Sequence, residues 1–260
     1  MYASRYDAIG TEYIATRRED PRIAAQIRTA LGDARSLVNV GAGAGAYEPH
    51  DRRVIPIEPS EVMIAQRDPG AAPAVRAAAW PLPLRDQSVD AAMAILSLDH
   101  WDDDQERGVK EMRRVARGPV VILTVDPKVS EQMWLIADYL PEVAELDRRT
   151  FPTLEMLRRW LDASVAVQEL LIHRQTPDWM LASFWAHPER VLDPQARNST
   201  SGFARMPPRI VNRVVDAVER DLKNGIWEAR HGSLRALDEY DAGLRLVVST
   251  PGRPPDDSRS

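Results

Sequence analysis

The chain has 260 residues, 34 of them basic and 39 acidic, with a net charge of −5 and no cysteine. These figures exclude a disulfide framework or a thiolate metal site, and they disfavour nucleic acid as a partner, because a phosphate backbone selects a basic field that the composition lacks. The N-terminus lacks a long apolar stretch and no run approaches the ~18 apolar residues of a membrane span, which predicts a cytoplasmic protein without a membrane partner.

The first periodic segment is Pro21 to Leu31, where Ile23, Ile27 and Leu31 recur at helical spacing before Gly32 ends the pattern. A strand at 36–40 follows. The reading continues with a helix at about 44–50, a strand at 53–57, a helix at 60–67, a short strand near Val75 and a strand at 89–96. A helix at about 104–116 and a strand at 120–125 complete this half. Continuous apolar strands alternating with helices predict an α/β fold, with a mostly parallel, doubly wound sheet covered by helices on both faces. After Pro127 the alternation is interrupted by a Trp-rich region punctuated by prolines. A helix at 153–161, a strand at 165–172, a helix at 208–223 and a last strand at 244–248 are predicted there.

The segment with the strongest chemical content is Ser36-Leu37-Val38-Asn39-Val40-Gly41-Ala42-Gly43-Ala44-Gly45, an apolar strand that runs into three alternating glycines. Glycines at such a turn let a ligand approach the backbone closely. Glu58 ends the next apolar run, where a carboxylate can accept both hydroxyls of a ribose. A dinucleotide-binding loop wants Gly-x-Gly-x-x-Gly, so the Gly-x-Gly-x-Gly register disfavours NAD.

In these residues the sequence resembles class I S-adenosylmethionine-dependent methyltransferases, especially the small-molecule type of ubiquinone and menaquinone biosynthesis. Two further segments are similar to that family: Glu58-Pro59-Ser60-Glu61-Val62-Met63-Ile64-Ala65, and the stretch from Ala77 to Asp90 containing Trp80-Pro81-Leu82-Pro83-Leu84. The resemblance implies a Rossmann-like, seven-stranded sheet, and the Trp-rich segment from Asp178 to Leu237, extra to the family's core, is read as a helical lid. It also implies S-adenosyl-L-methionine as cofactor, with S-adenosyl-L-homocysteine as product. Asn39, Gly41, Ala42, Gly43, Gly45, Glu58, Pro59, Met63, Ala78, Ala79, Trp80, Leu96 and Ser97 are then the expected cofactor contacts. Two positions depart from the family pattern: Asn39 stands where an acid is usual, and Ala78 where an Asp accepts from the adenine amine.

The carboxyl ends of parallel strands face one crevice, so Ser97 to Trp101 and Asp126-Pro127 lie where a methyl acceptor is expected. His100, beside Asp99, is the candidate base and matches a His of the family's Leu-His-His segment; a loop or capping role is its alternative. The five histidines hold no pair at helical ligand spacing, so no metal is expected. Arg17 and Arg18 are candidates for receiving a carboxylate, or for a solvated charge pair. Tyr6, Tyr13, Trp101, Trp134, Trp179 and Trp185 are the candidate acceptor contacts, with an aromatic packing seam as the alternative for each.

The expected organisation is an N-terminal helical segment or lid (1–34), a cofactor-binding core (35–177), a helical insertion over the substrate (178–237), a strand completing the core (238–250) and a disordered tail (251–260). The expected activity is transfer of a methyl group to O, N or C of a small, apolar or aromatic metabolite. Two alternatives stand beside it: a cofactor-binding protein with another activity or a sensing role, and a nucleic-acid or protein methyltransferase. A homodimer is compatible with either role of the insertion.

Overall fold

A computed structural model describes residues 17–198 and 200–251. The expectations for Tyr6, Tyr13, the first part of the N-terminal segment and the tail 252–260 lie outside the described residues. Helix α1 (Pro21–Leu31) has the predicted bounds: Asp20 caps it by accepting from the Arg22 amide, Pro21 opens it, and Gly32 closes it at φ 55°. Its apolar stripe is buried against the sheet.

The next elements are β1 (Ser36–Val40), β2 (Arg53–Ile57), α2 (Glu61–Ala65), β3 (Ala91–Ile95), α3 (Gln105–Val115) and β4 (Val120–Val125). Strand β1 lies between β2 and β3, and β4 lies beyond β3, all parallel. The second half contributes α4 (Pro127–Ser130), a π-helical turn at Leu135–Tyr139, α5 (Pro141–Thr150), α6 (Leu154–Leu161), β5 (Ser164–Glu169) and β6 (Ile172–His173). The insertion carries α7 (Pro194–Asn198), α8 (Ser201–Ala204), α9 (Pro208–Lys223) and α10 (Ile226–His231), and β7 (Glu239–Tyr240) and β8 (Leu244–Thr250) end the fold. Strand β8 is antiparallel to both β4 and β5, giving the order β2-β1-β3-β4-β8-β5.

Among the described residues the sheet therefore has six strands, against the expected seven. Val75 makes a single parallel bridge to Ile57 at the edge beyond β2, and the prolines and glycine of Pro69-Gly70-Ala71-Ala72-Pro73 leave no extended run to prolong it. The helix expected at 44–50 is a series of turns. Positive φ at Gly45 and Tyr47 and the proline at position 49 break helical geometry there. The strand expected at 165–172 divides into β5 and β6, because β8 ends its pairing at Arg245 and Gly243 turns the chain at φ 91°. Beyond it Ile172 pairs with Tyr240 in a separate two-stranded sheet. Helix α5 was not foreseen.

Successive strand residues point to opposite faces, and here both faces are buried. Leu37, Ala91, Met93, Val121 and Leu123 pack with α1 and the insertion, while Val38, Ala92, Ala94, Val120 and Ile122 pack with α3 and α6. Phe184, Trp185, Phe203, Val214, Val218 and Trp227 of the insertion belong to the same buried cluster as Ile27 and Leu37. The insertion is thus continuous with the core. Among the described residues no helix is long and apolar enough to cross a membrane.

Candidate active site

Strand order reverses at β1, whose neighbours β2 and β3 are reached in opposite directions, and the loops leaving these strands open a crevice at their carboxyl ends. The glycine loop is held by backbone bonds: the amides of Gly41 and Ala42 both donate to the Ile57 carbonyl at 2.9 Å. All three glycines have positive φ: 70° at Gly41, 52° at Gly43 and 97° at Gly45. A Cβ on Gly41 would lie 2.6 Å from Cβ of Ser97, whereas one on Gly43 meets only the flexible end of Met63, at 3.3 Å. Gly41 is required by the fold, and Gly43 keeps space open.

Glu58 follows β2 and is buried, its two oxygens accepting from the amides of Gly43 and Ser60 at 2.8 Å each. A carboxylate oxygen accepts more than one hydrogen bond, so these contacts orient Glu58 without exhausting it. The crevice measures about 810 Å³ and is lined by Asn39, Gly41, Ala42, Gly43, Glu58, Pro59, Met63, Ala78, Ala79, Trp80, Leu96 and Ser97. Gly45 does not line it. Its missing Cβ faces the Arg67 guanidinium instead. Trp80 is partly exposed, with the Arg107 guanidinium 4.6 Å from its ring centre.

Asn39, where the family has an acid, is backed by the carboxylate of Glu48 behind the loop. Asn39 Nδ2 donates to Glu48 Oε1 at 2.9 Å, Glu48 Oε2 pairs with Arg67 Nη2 at 2.5 Å, and Arg67 Nη1 donates to the Gly43 carbonyl. This buried chain fixes the loop from below. Asn39 Oδ1 is left as a buried acceptor with no hydrogen bond among the described residues, and Asn39 lines the crevice. Such an atom costs ~1–3 kcal/mol until a donor meets it. A glycine cradle, an oriented carboxylate and an unmet buried acceptor together fit a nucleoside carrying an amino-acid group.

A smaller chamber of about 90 Å³ adjoins the crevice, and Arg17, Leu96 and His100 line both. Leu96 takes φ 49° at this junction, a conformation rare for a branched side chain and concentrated at functional sites. Asp99 and His100 lie in the 3-10 turn that follows, and His100 Nε2 comes 3.3 Å from Asp99 Oδ2. Arg205 Nη1, from the insertion, reaches the same oxygen at 3.5 Å. The predicted pair is therefore brought together, with a third partner the sequence did not indicate.

Of the described aromatic residues expected against an acceptor, Trp134, Trp179 and Trp185 line neither cavity. Trp134 is buried in an edge-on cluster with Tyr139 and Trp227 and donates to the Trp185 carbonyl at 3.0 Å. Trp185 stacks on Tyr240, Trp179 packs under Arg190, and Trp101 lines the cofactor crevice. Bulky indoles fill the interior because their area stabilises most when fully removed from water. The chamber is walled instead by residues such as Met133, Val143, Phe151 and Met180, with Asp147 among them. The sequence pattern marks none of these residues, and the helix bearing Asp147 gives no signal above that of a charged surface segment.

The chamber mouth is held by a polar cluster. Arg17 Nε donates to Asp178 Oδ1 at 2.5 Å, the Tyr47 hydroxyl donates to Asp178 Oδ2 at 3.0 Å, and the Asp20 amide donates to that hydroxyl. Burial, with the Asp178 carboxylate beside it, raises the Tyr47 pKa far above that of an ordinary tyrosine, so the hydroxyl stays protonated. The start of the described chain, the glycine loop and the insertion meet here.

Comparison with known proteins agrees with this geometry. The family described as Methyltransferase domain matches residues 38–122, and no curated protein matches the sequence. A solved structure from Anabaena variabilis, described as a methyltransferase from an antibiotic biosynthesis pathway, is 30% identical, covers 90% of this chain and 99% of its own, and superposes with a TM-score of 0.83. A SAM-dependent methyltransferase of Thermotoga maritima shares the fold at 16% identity and TM-score 0.51, covering 95% of this chain and 92% of its own. Geranyl diphosphate C-methyltransferase of Streptomyces coelicolor A3(2), solved with S-adenosyl-L-homocysteine, shares it at 14% identity and TM-score 0.50, over 89% and 79% of the two chains. The chain belongs to the class I S-adenosylmethionine-dependent methyltransferases.

Proposed function

We propose that the protein methylates a small molecule whose reacting end enters the chamber beside His100. The observation that carries this reading is the junction itself: a largely apolar chamber opens onto the cofactor crevice at Leu96 and His100. A nucleic acid would need a basic groove, whereas this chamber holds Asp99 and Asp147. S-adenosylmethionine, when bound, supplies a methyl group on a sulfonium whose departure leaves a neutral thioether.

In this reading Glu58 accepts from the ribose hydroxyls, Asn39 Oδ1 accepts from the ligand's amino group, and Ala79 and Trp80 hold the adenine in place of the missing acid at Ala78. His100 is the base for an acceptor that must lose a proton, with Asp99 orienting its ring. The insertion acts as the cover that carries substrate choice and excludes water. Proximity, alignment and desolvation by these residues supply most of the rate.

Calorimetry with S-adenosyl-L-homocysteine tests the cofactor assignment. Glu58→Ala is expected to weaken binding by about 1.5–3 kcal/mol, roughly 10- to 150-fold, through loss of charge-assisted hydrogen bonds. Unchanged affinity in a folded variant removes Glu58 from the site. Transfer of labelled methyl from the cofactor into a low-molecular-weight extract, and not into protein or RNA, tests the acceptor class.

A further inference from the structure

Helix α5 packs against the turn that carries Asp99 and His100, and Gln105 ties them by donating to both the Leu98 and Thr150 carbonyls. This docking sets Asp147 in the chamber wall. Its side chain is half-buried and makes no hydrogen bond or ion pair among the described residues. The charged groups around it are already matched: Arg17 with Asp178, and Arg205 with Asp99, which also meets His100. Once Asp147 ionises, the described chamber carries one negative charge without a counter-charge.

We propose that Asp147 is the specificity-determining residue of the acceptor chamber, and that the acceptor is an amine which enters as an ammonium, with Asp147 as its counter-charge and an apolar body against Met133, Phe151 and Met180, and which gives a proton to His100 before its nitrogen lone pair attacks the methyl group. The proposal rests on the reading of this chamber as the acceptor site.

A hydroxyl acceptor needs a base near its oxygen but gains nothing from a second, uncompensated carboxylate, and an acidic acceptor is repelled by it. An ammonium is the group that such a wall selects, because a buried charge is tolerated only when paired. The cost of leaving Asp147 without a partner is visible in its titration: burial, and then repulsion from Asp99, push its pKa up to about 7 against some relief from Arg205. A cationic ligand reverses that balance and holds Asp147 ionised. In the free protein, folding favours the neutral acid, so stability from this group is full below the ordinary carboxylate range and falls as pH rises towards 7.

The test uses the full chain saturated with S-adenosyl-L-homocysteine. A series of primary amines from ethylamine to 2-phenylethylamine is titrated by calorimetry beside the matching alcohols, at pH 6 and pH 8. The expected result is at least one amine bound tenfold or more tightly than its alcohol at pH 8, a smaller preference at pH 6, and loss of the preference in Asp147→Asn. That variant is expected to retain cofactor binding and to lose no thermal stability at pH 8, which separates recognition from a structural role. Binding of none of the amines, equal binding of alcohol and amine, or an intact preference in Asp147→Asn overturns the proposal. Failure of the wild-type chain to bind S-adenosyl-L-homocysteine overturns the cofactor placement instead.

Discussion

Gly43→Val is expected to abolish binding of S-adenosyl-L-homocysteine, by at least 100-fold, in a protein whose circular dichroism spectrum stays nearly native. Gly43 lies on the crevice wall at φ 52°, and a Cβ there meets only Met63 Cε, at 3.3 Å. The apo fold therefore has room for a side chain, and its main cost is the left-handed backbone, about 1–2 kcal/mol. That is tolerable against a typical stability of ~5–15 kcal/mol. The ligand has no such room, because the isopropyl group takes the volume that the cradle keeps open. Gly41 is a poorer test. A Cβ there collides with Ser97 at 2.6 Å, so lost binding in such a variant does not separate a damaged site from a damaged fold. Calorimetry paired with the spectrum decides the matter: retained binding in folded Gly43→Val makes the loop structural and moves the cofactor elsewhere.

The half of the chain that was legible in the sequence is the half built from strong local signals. Leu37 to Val40 and Val120 to Val125 are predominantly apolar runs rich in Val, Ile and Leu, and Asp20, Pro21 and Gly32 mark both ends of α1, so strand and helix follow from propensity and capping alone. Gly41 to Gly45 and Glu58 are likewise readable, since their residue types are dictated by the turn and by a position at a strand's end. The acceptor side was not readable for the opposite reason. Asp147 sits in Glu145-Leu146-Asp147-Arg148-Arg149, which locally is a solvated helix face, and only the docking of α5 on the turn after β3 turns one of its acids inward. Arg205 reaches Asp99 across more than a hundred residues of sequence, a pairing no window can contain. An indole's role is not legible locally, because an amphipathic ring suits a ligand wall and a domain core equally well. Here the core took Trp134, Trp185 and Trp227.

Trp227→Ala is expected to destabilise the whole protein by about 3–5 kcal/mol, the usual cost of emptying a buried aromatic site. Trp227 is fully buried, edge-on to Trp134 at 5.5 Å and under the Arg235 guanidinium at 4.8 Å. Trp134 in turn donates to the Trp185 carbonyl, so α10, the π-helical turn and the start of the insertion share one aromatic cluster with the face of the sheet. For a chain of this length each kcal/mol lowers the melting temperature by roughly 2–4 °C, which predicts a fall of roughly 6–20 °C in a single transition. Trp227→Phe separates packing from hydrogen bonding, since the indole Nε1 of Trp227 has no partner among the described residues. Phenylalanine removes that unmet donor along with part of the ring, so the two changes offset and the loss is expected to be well under half that of the alanine variant. The form of the melt tells how the cover behaves. Because the insertion shares its buried cluster with the core, both variants are expected to shift one cooperative transition seen alike by near-ultraviolet and far-ultraviolet circular dichroism. A separate early transition confined to the near-ultraviolet signal would instead make residues 178–237 an independently opening layer.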